Sequence, residues 1–150
     1  MKGLIQRVTE ASVCVEGEVV GEIRQGLLVF LAVVVGDGPV QSNKMARKVA
    51  GLRVFPDSQG RMNRSVVDLG ASVLVVSQFT LAADLKKGYR PSFAPAEEPV
   101  RAEALCHDFC QELSKLGLKV EQGRFGADMQ VSLVNDGPVT FWLDFPPESI

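Results

Sequence analysis

The stretch Val73-Leu74-Val75-Val76-Ser77-Gln78-Phe79-Thr80-Leu81 decides how this chain folds. Its first four residues are apolar and mostly β-branched, the composition of a buried strand. That strand then delivers the hydrogen-bonding side chains of Ser77, Gln78 and Thr80 where an apolar core would want none. A buried polar group without a partner costs about 1–3 kcal/mol, so such a cluster either surfaces or is put to use. Polar groups held at the end of a rigid strand are a common way to build a site. The stretch alone is compatible with either outcome.

Upstream, the pattern is strand-rich. Leu4 to Val8 and Ala11 to Val15 read as strands, and Glu16-Gly17 turns the chain into Glu18–Ile23, a β-hairpin. After Gln25-Gly26, the continuous apolar run Leu27–Val35 fits a central strand covered on both faces. Pro39 stands where a helix begins, its missing N–H being tolerated in the first turn. Met45, Val49 and Leu52 then recur at helical spacing, so this helix is amphipathic and packs on the sheet. Arg53-Val54-Phe55 reads as a short strand, Pro56–Gly60 as a turn, and Arg61–Gly70 as a polar, mostly irregular connection.

Downstream, the loop Ala94–Pro99 ends in acidic residues that suit a helix N-terminus. Leu105, Phe109, Leu113 and Leu116 mark a second amphipathic helix closed by Gly117. Leu118–Glu121, Met129–Val134 and Val139–Leu143 read as strands, the last two separated by Asn135-Asp136-Gly137-Pro138. The expectation is one α/β domain over residues 1–150, with layered mixed sheets and two amphipathic helices.

Composition sets the bounds. At 150 residues, 46% hydrophobic and 23% charged, the chain can bury a core without disulfides or metals. Its longest apolar run is too short to span a bilayer, so no membrane partner is expected. The start Met1–Arg7 lacks a signal-peptide pattern, and three cysteines make no disulfide framework. Both point to the cytoplasm. A net charge of −2 means that any nucleic acid is held locally, because phosphate-binding proteins are usually basic.

Candidate chemistry is sparse. His107, the single histidine, shares a helix with Cys106 and Cys110, but no second ligand cluster accompanies them, and the expectation is no metal and no cofactor. Nor does any motif connect His107 to Ser77 or Thr80 as a catalytic base. Hydrolysis at this site would rest on positioning and on main-chain N–H groups. Lys86, Lys87 and Arg90 can grip phosphate, with Gly88 allowing close approach, or can simply form a solvated loop. Gly137-Pro138 is either a turn or a functional X-Pro bond.

The segments Ser77-Gln78-Phe79-Thr80-Leu81, Gly88-Tyr89-Arg90-Pro91-Ser92-Phe93 and Asn135-Asp136-Gly137-Pro138-Val139-Thr140 together resemble the D-aminoacyl-tRNA deacylase family. Ile5-Gln6-Arg7-Val8, Gly21-Glu22-Ile23 and Phe125-Gly126-Ala127-Asp128-Met129 extend the likeness over nearly the whole chain. The resemblance implies a D-tyrosyl-tRNA deacylase-like fold with a barrel-like β core, and an esterase that frees tRNA from a D-amino acid or glycine. It implies a homodimer in which Gly137-Pro138 of one subunit enters the other's pocket. Thr80 would be the residue at the chemistry, with Ser77, Gln78 and the Phe79 main-chain N–H beside it. Phe125 and Met129 would lie near the adenosine and aminoacyl group. Three positions depart from the family's usual pattern, Ala82, Leu85 and Tyr89. A catalytically silent dimer that binds tRNA ends or nucleotides is the alternative reading.

Overall fold

A computed structural model describes residues 1–148 of the chain. The chain begins with β1 (Lys2–Val15), a single bent strand where the sequence pattern suggested two. Its return path is β2 (Glu18–Ile23) and β3 (Gly26–Ala32), which pair antiparallel with it: Ala11 faces Ile23 and Val8 faces Gly26, with one register shift between Val13 and Cys14 on the β2 side. The reversal at Glu16-Gly17 has φ of 51° and 81°, the positive pair that a type I′ hairpin turn requires.

Helix α1 (Pro39–Gly51) starts at Pro39 as expected. The segment read as irregular contains regular structure instead. The short strand β4 (Phe55–Pro56) pairs with β5 (Met62–Arg64), and a one-turn helix, α2 (Val66–Leu69), follows. Ser65 and Asp68 cap that helix reciprocally: the Asp68 N–H donates to Ser65 Oγ at 3.0 Å, and the Ser65 N–H donates to Asp68 Oδ2 at 2.8 Å. Two satisfied end donors suffice to stabilise a single turn at this point. Strand β6 (Ser72–Ser77), helix α3 (Pro99–Lys115), β7 (Lys119–Gln122) and β8 (Gln130–Asp144) complete the chain. β8 also corrects the sequence reading: the two expected terminal strands are one long strand, because both halves pair with β1.

The main sheet runs β2-β1-β3-β6-β7, with β8 on the other side of β1. Pairs β3–β6 and β6–β7 are parallel, so the sheet is mixed. It curls until β2 meets β7, where a Cβ on Gly21 would collide with the Gln122 carbonyl. Glycine permits that seam.

The apolar runs are explained by two cores. Leu27, Val29, Leu31, Val73 and Val75 face the helices and pack with Met45, Val49, Phe109 and Leu113. The alternate residues Leu28, Leu74 and Val76 point the other way, into the barrel with Val13 and Ile23. Strands buried on both faces must be apolar throughout. Each large side chain fully buried here contributes about 1.5–3 kcal/mol. One polar contact sits under this layer: the Met1 ammonium pairs with Asp37 at 2.8 Å, both side chains being fully buried.

Candidate active site

Parallel strands β3 and β6 end side by side, Leu31 opposite Ser77. The Gln78 N–H makes one further bond, to the Leu31 carbonyl at 2.8 Å. The chain then leaves the sheet in a 3₁₀ turn over Phe79–Ala82. The space beyond the carboxyl ends of parallel strands is where such sheets accept ligands, and a cavity of about 410 Å³ opens there.

Leu31, Val33 and Ser77 form its floor, and Gln78, Phe79 and Phe93 one wall. The Phe79 and Phe93 rings meet edge to face with centroids 5.1 Å apart, a geometry that holds this lip in place. Ala102 and Cys106 of α3 close the opposite wall, with Phe125 between. The cavity is mostly apolar, its polar side chains being Ser77 and Gln78 at the end of β6 and Glu97 and Glu98 just before α3.

The charged groups at the rim are already committed. Glu98 caps α3, accepting from the Arg101 and Val100 amides at 2.7 and 3.2 Å. Glu97 pairs with Arg101 at 3.1 Å. Burial pushes the Cys106 thiol up to about 12, with Cys110 and Glu103 adding to the shift. A thiol so far from ionising is no nucleophile near neutrality.

What the site offers instead is main chain. Leu81 N–H is bonded to the Gln78 carbonyl at 3.1 Å. The amides of Phe79 and Thr80 open the turn, where the ladder provides no acceptor, and none is assigned to them among the described residues. The Gln78 side-chain amide donates to Thr80 Oγ1, fixing the hydroxyl, while Thr80 itself is exposed next to Phe79 and is not among the residues that line the cavity. Two free N–H groups beside an apolar cavity can stabilise an oxyanion.

Of the other sequence candidates, one joins this cavity and the rest fall elsewhere. Phe125 lines the cavity. Met129 packs with the barrel core instead. Lys86, Lys87 and Arg90 are exposed on a loop closed by the paired backbones of Asp84 and Ser92. Gly137 and Pro138 are exposed in β8, joined by a cis peptide bond, and do not line the cavity of their own chain. Among the described residues no group of three or more potential metal ligands occurs, and His107 lies 3.1 Å from the Gln111 amide.

The register explains how Gly137-Pro138 is presented. Gln6 pairs with Thr140, but Val8 pairs with Asn135, so Asp136–Val139 loop out opposite Arg7. Arg7 and Asn135 hold this bulge. Arg7 Nε donates to the Asp136 carbonyl at 3.0 Å and pairs with its carboxylate at 3.2 Å. Arg7 Nη1 anchors to the Val54 carbonyl at 2.6 Å. Asn135 Nδ2 returns the clasp, donating to the carbonyls of Arg7 and Val139 at 2.9 and 3.2 Å.

Sequence reasoning named neither as a site residue. Arg7 carried a signal, since it shares the parity of Gly3 and Ile5, both buried. The wall built by Ala102 and Cys106 carried none beyond ordinary helix periodicity.

A strand-end cavity with free amides and no ionised nucleophile has what hydrolysis of an already activated acyl ester asks for, positioning and oxyanion stabilisation. Residues 4–144 match the family described as D-Tyr-tRNA(Tyr) deacylase. The chain is 65% identical over 149 residues to a D-aminoacyl-tRNA deacylase of Magnetococcus marinus, covering 99% of both. It is 56% identical to the one of Halorhodospira halophila, over 96% of this chain and 94% of that protein. A solved structure described as c-Myc DNA Unwinding Element Binding Protein superposes with a TM-score of 0.91 at 41% identity, covering 97% of this chain and 99% of the other. This chain belongs to the D-Tyr-tRNA(Tyr) deacylase family.

Proposed function

We propose that this protein hydrolyses the ester between a D-amino acid and the 3′-terminal adenosine of tRNA, as a cytoplasmic homodimer with composite sites. The observation that carries the reading is the cavity walled by Ser77–Phe79, where Glu97, Glu98 and the Gln78 amide are already engaged and the Ser77 hydroxyl and the main-chain N–H groups of Phe79 and Thr80 have no assigned partner among the described residues. An aminoacyl ester is an activated acyl group, so little more than positioning and oxyanion stabilisation is needed. Water attacks the carbonyl carbon, the negative oxygen rests on the Phe79 and Thr80 amides, and the bond to the ribose oxygen breaks. The leaving oxygen takes the proton, assisted by the neighbouring 2′-hydroxyl of the substrate. One oxyanion donor is typically worth about 2.7–4 kcal/mol. Thr80, held by Gln78, positions the ester or water and is not acylated.

Dimerisation is supported by β8. It pairs with β1 alone among the described residues, leaving its other edge open, and Val134, Phe141 and Trp142 are exposed along it. Long apolar edges are normally covered. A second copy laid there brings Gly137-Pro138 to the neighbour's cavity. Rigid main chain facing the α-carbon then admits a hydrogen and excludes an L side chain, which is selection by clash. The same logic admits glycine. Phe125 contacts the adenosine, Met129 supports the segment after it, and Lys86, Lys87 and Arg90 meet tRNA phosphates.

The test is release of D-tyrosine from D-Tyr-tRNA, with L-Tyr-tRNA and Gly-tRNA alongside. Turnover of the D and glycyl substrates without the L substrate is expected. Binding of tRNA without turnover would identify the silent module instead.

A further inference from the structure

The loop between the pocket lip and the 3₁₀ turn has a feature that the deacylation chemistry leaves unused. Its base is closed by two backbone bonds, Asp84 N–H to Ser92 O at 2.8 Å and Ser92 N–H to Asp84 O at 3.0 Å. The Asp84 carboxylate takes the Lys86 N–H at 2.9 Å, and Gly88 turns the tip with φ of 64°. These bonds shape the loop, yet Tyr89 at its tip buries nothing: its relative exposure is 105%. An aromatic side chain standing wholly in water gains nothing for the fold. Around it stand Lys86, Lys87 and Arg90, none with an assigned carboxylate partner among the described residues. That is a local positive cluster in a chain of net charge −2.

The loop is also fixed relative to the cavity. Phe93, four residues after Tyr89, is part of the cavity wall and stacks on Phe79. Four residues span at most about 14 Å. The tip therefore stands within about 14 Å of the cavity wall, within reach of a strand whose end occupies the cavity.

An exposed aromatic ring among unpaired cations is the arrangement that binds single-stranded nucleic acid, the ring stacking on a base while the cations track phosphates. We infer that Tyr89 is a stacking platform for an unpaired nucleotide of the tRNA acceptor end upstream of the terminal adenosine. The inference rests on the deacylase reading for the identity of the strand. Tyr89 is then a substrate-positioning residue, acting on binding and not on the ester.

Tyr89→Ala should raise KM for D-Tyr-tRNA about fivefold or more, the low end of the loss when a stacking aromatic is removed, with kcat unchanged. Tyr89→Trp should retain wild-type KM. For 3′-O-D-tyrosyl-adenosine, which lacks upstream nucleotides, kcat/KM should be the same for wild type and Tyr89→Ala. Equal losses on both substrates, no loss on tRNA, or an altered oligomeric state would each overturn the inference. Binding of a fluorescent oligoribonucleotide ending in CCA is measured in parallel. If the wild-type protein turns over neither ester, the deacylase reading fails, and the oligonucleotide still decides the role of Tyr89: weaker binding by the alanine variant supports it, unchanged binding refutes it.

Discussion

Adding one methyl group at Gly137 tests whether the bulge is built to a fixed shape. A Cβ there would stand 2.5 Å from Asn135 Oδ1, 3.2 Å from Asn135 Cγ and 3.3 Å from the Val139 nitrogen. Contacts that short force a shift, and the Asn135 amide is the movable group. Rotating it away breaks its bonds to the Arg7 and Val139 carbonyls. Each such bond contributes about 0.5–1.5 kcal/mol net, so Gly137→Ala should cost about 1–3 kcal/mol. A domain of typical stability, about 5–15 kcal/mol, survives that. The melting temperature should fall by roughly 2–12 °C, at about 2–4 °C per kcal/mol. The displaced bulge should also reject L-Tyr-tRNA less well. The clash and the clasp involve the same side chain, so Asn135→Ala/Gly137→Ala should be about as stable as Asn135→Ala alone, a coupling that a double-mutant cycle isolates. An unchanged melting temperature for Gly137→Ala, together with full rejection of the L substrate, would refute the reasoning.

Two further predictions concern the frame of the site. Asp37→Asn leaves the Met1 ammonium buried without its partner and should destabilise by about 3–5 kcal/mol, measured by urea unfolding. Cys106 and Cys110, ordinarily near 9.0, are each pushed up to about 12 by burial. Their folded pKa values lie above the unfolded ones, so their contribution is intact below about 9 and is lost as pH climbs toward 12. Melting temperature should fall across that window, and less steeply in the Cys106→Ala/Cys110→Ala variant.

Much of this architecture is legible in one sequence because its signals are local. The run Val73–Val76 declares a strand covered on both sides, and Pro39 and Gly117 bracket helices that the structure places within a residue or two. The reading of Arg61–Gly70 as irregular passed over the capping pair Ser65 and Asp68, because a single helical turn is too short to show periodicity. Other features depend on distant partners. That β8 is one strand follows from pairing along β1, residues more than a hundred positions away. The polar tetrapeptide at Asn135–Pro138 looks like a turn until Arg7 is seen holding it against a strand. Likewise the cavity wall from α3 arises from how that helix packs beside α1 and β7 in the shared core, and its residues serve the core and the site alike.

A site shared between subunits can be tested by mixing two inactive variants. Ala102→Phe fills the cavity from α3, and Gly137→Trp replaces the exposed main chain of the bulge with a bulky side chain. In a mixed dimer, one site inherits both defects and the other inherits neither. Purified heterodimers should therefore hydrolyse D-Tyr-tRNA at about half the wild-type rate while sparing L-Tyr-tRNA, although each parent homodimer is inactive. Heterodimers as inactive as their parents would contradict the shared site.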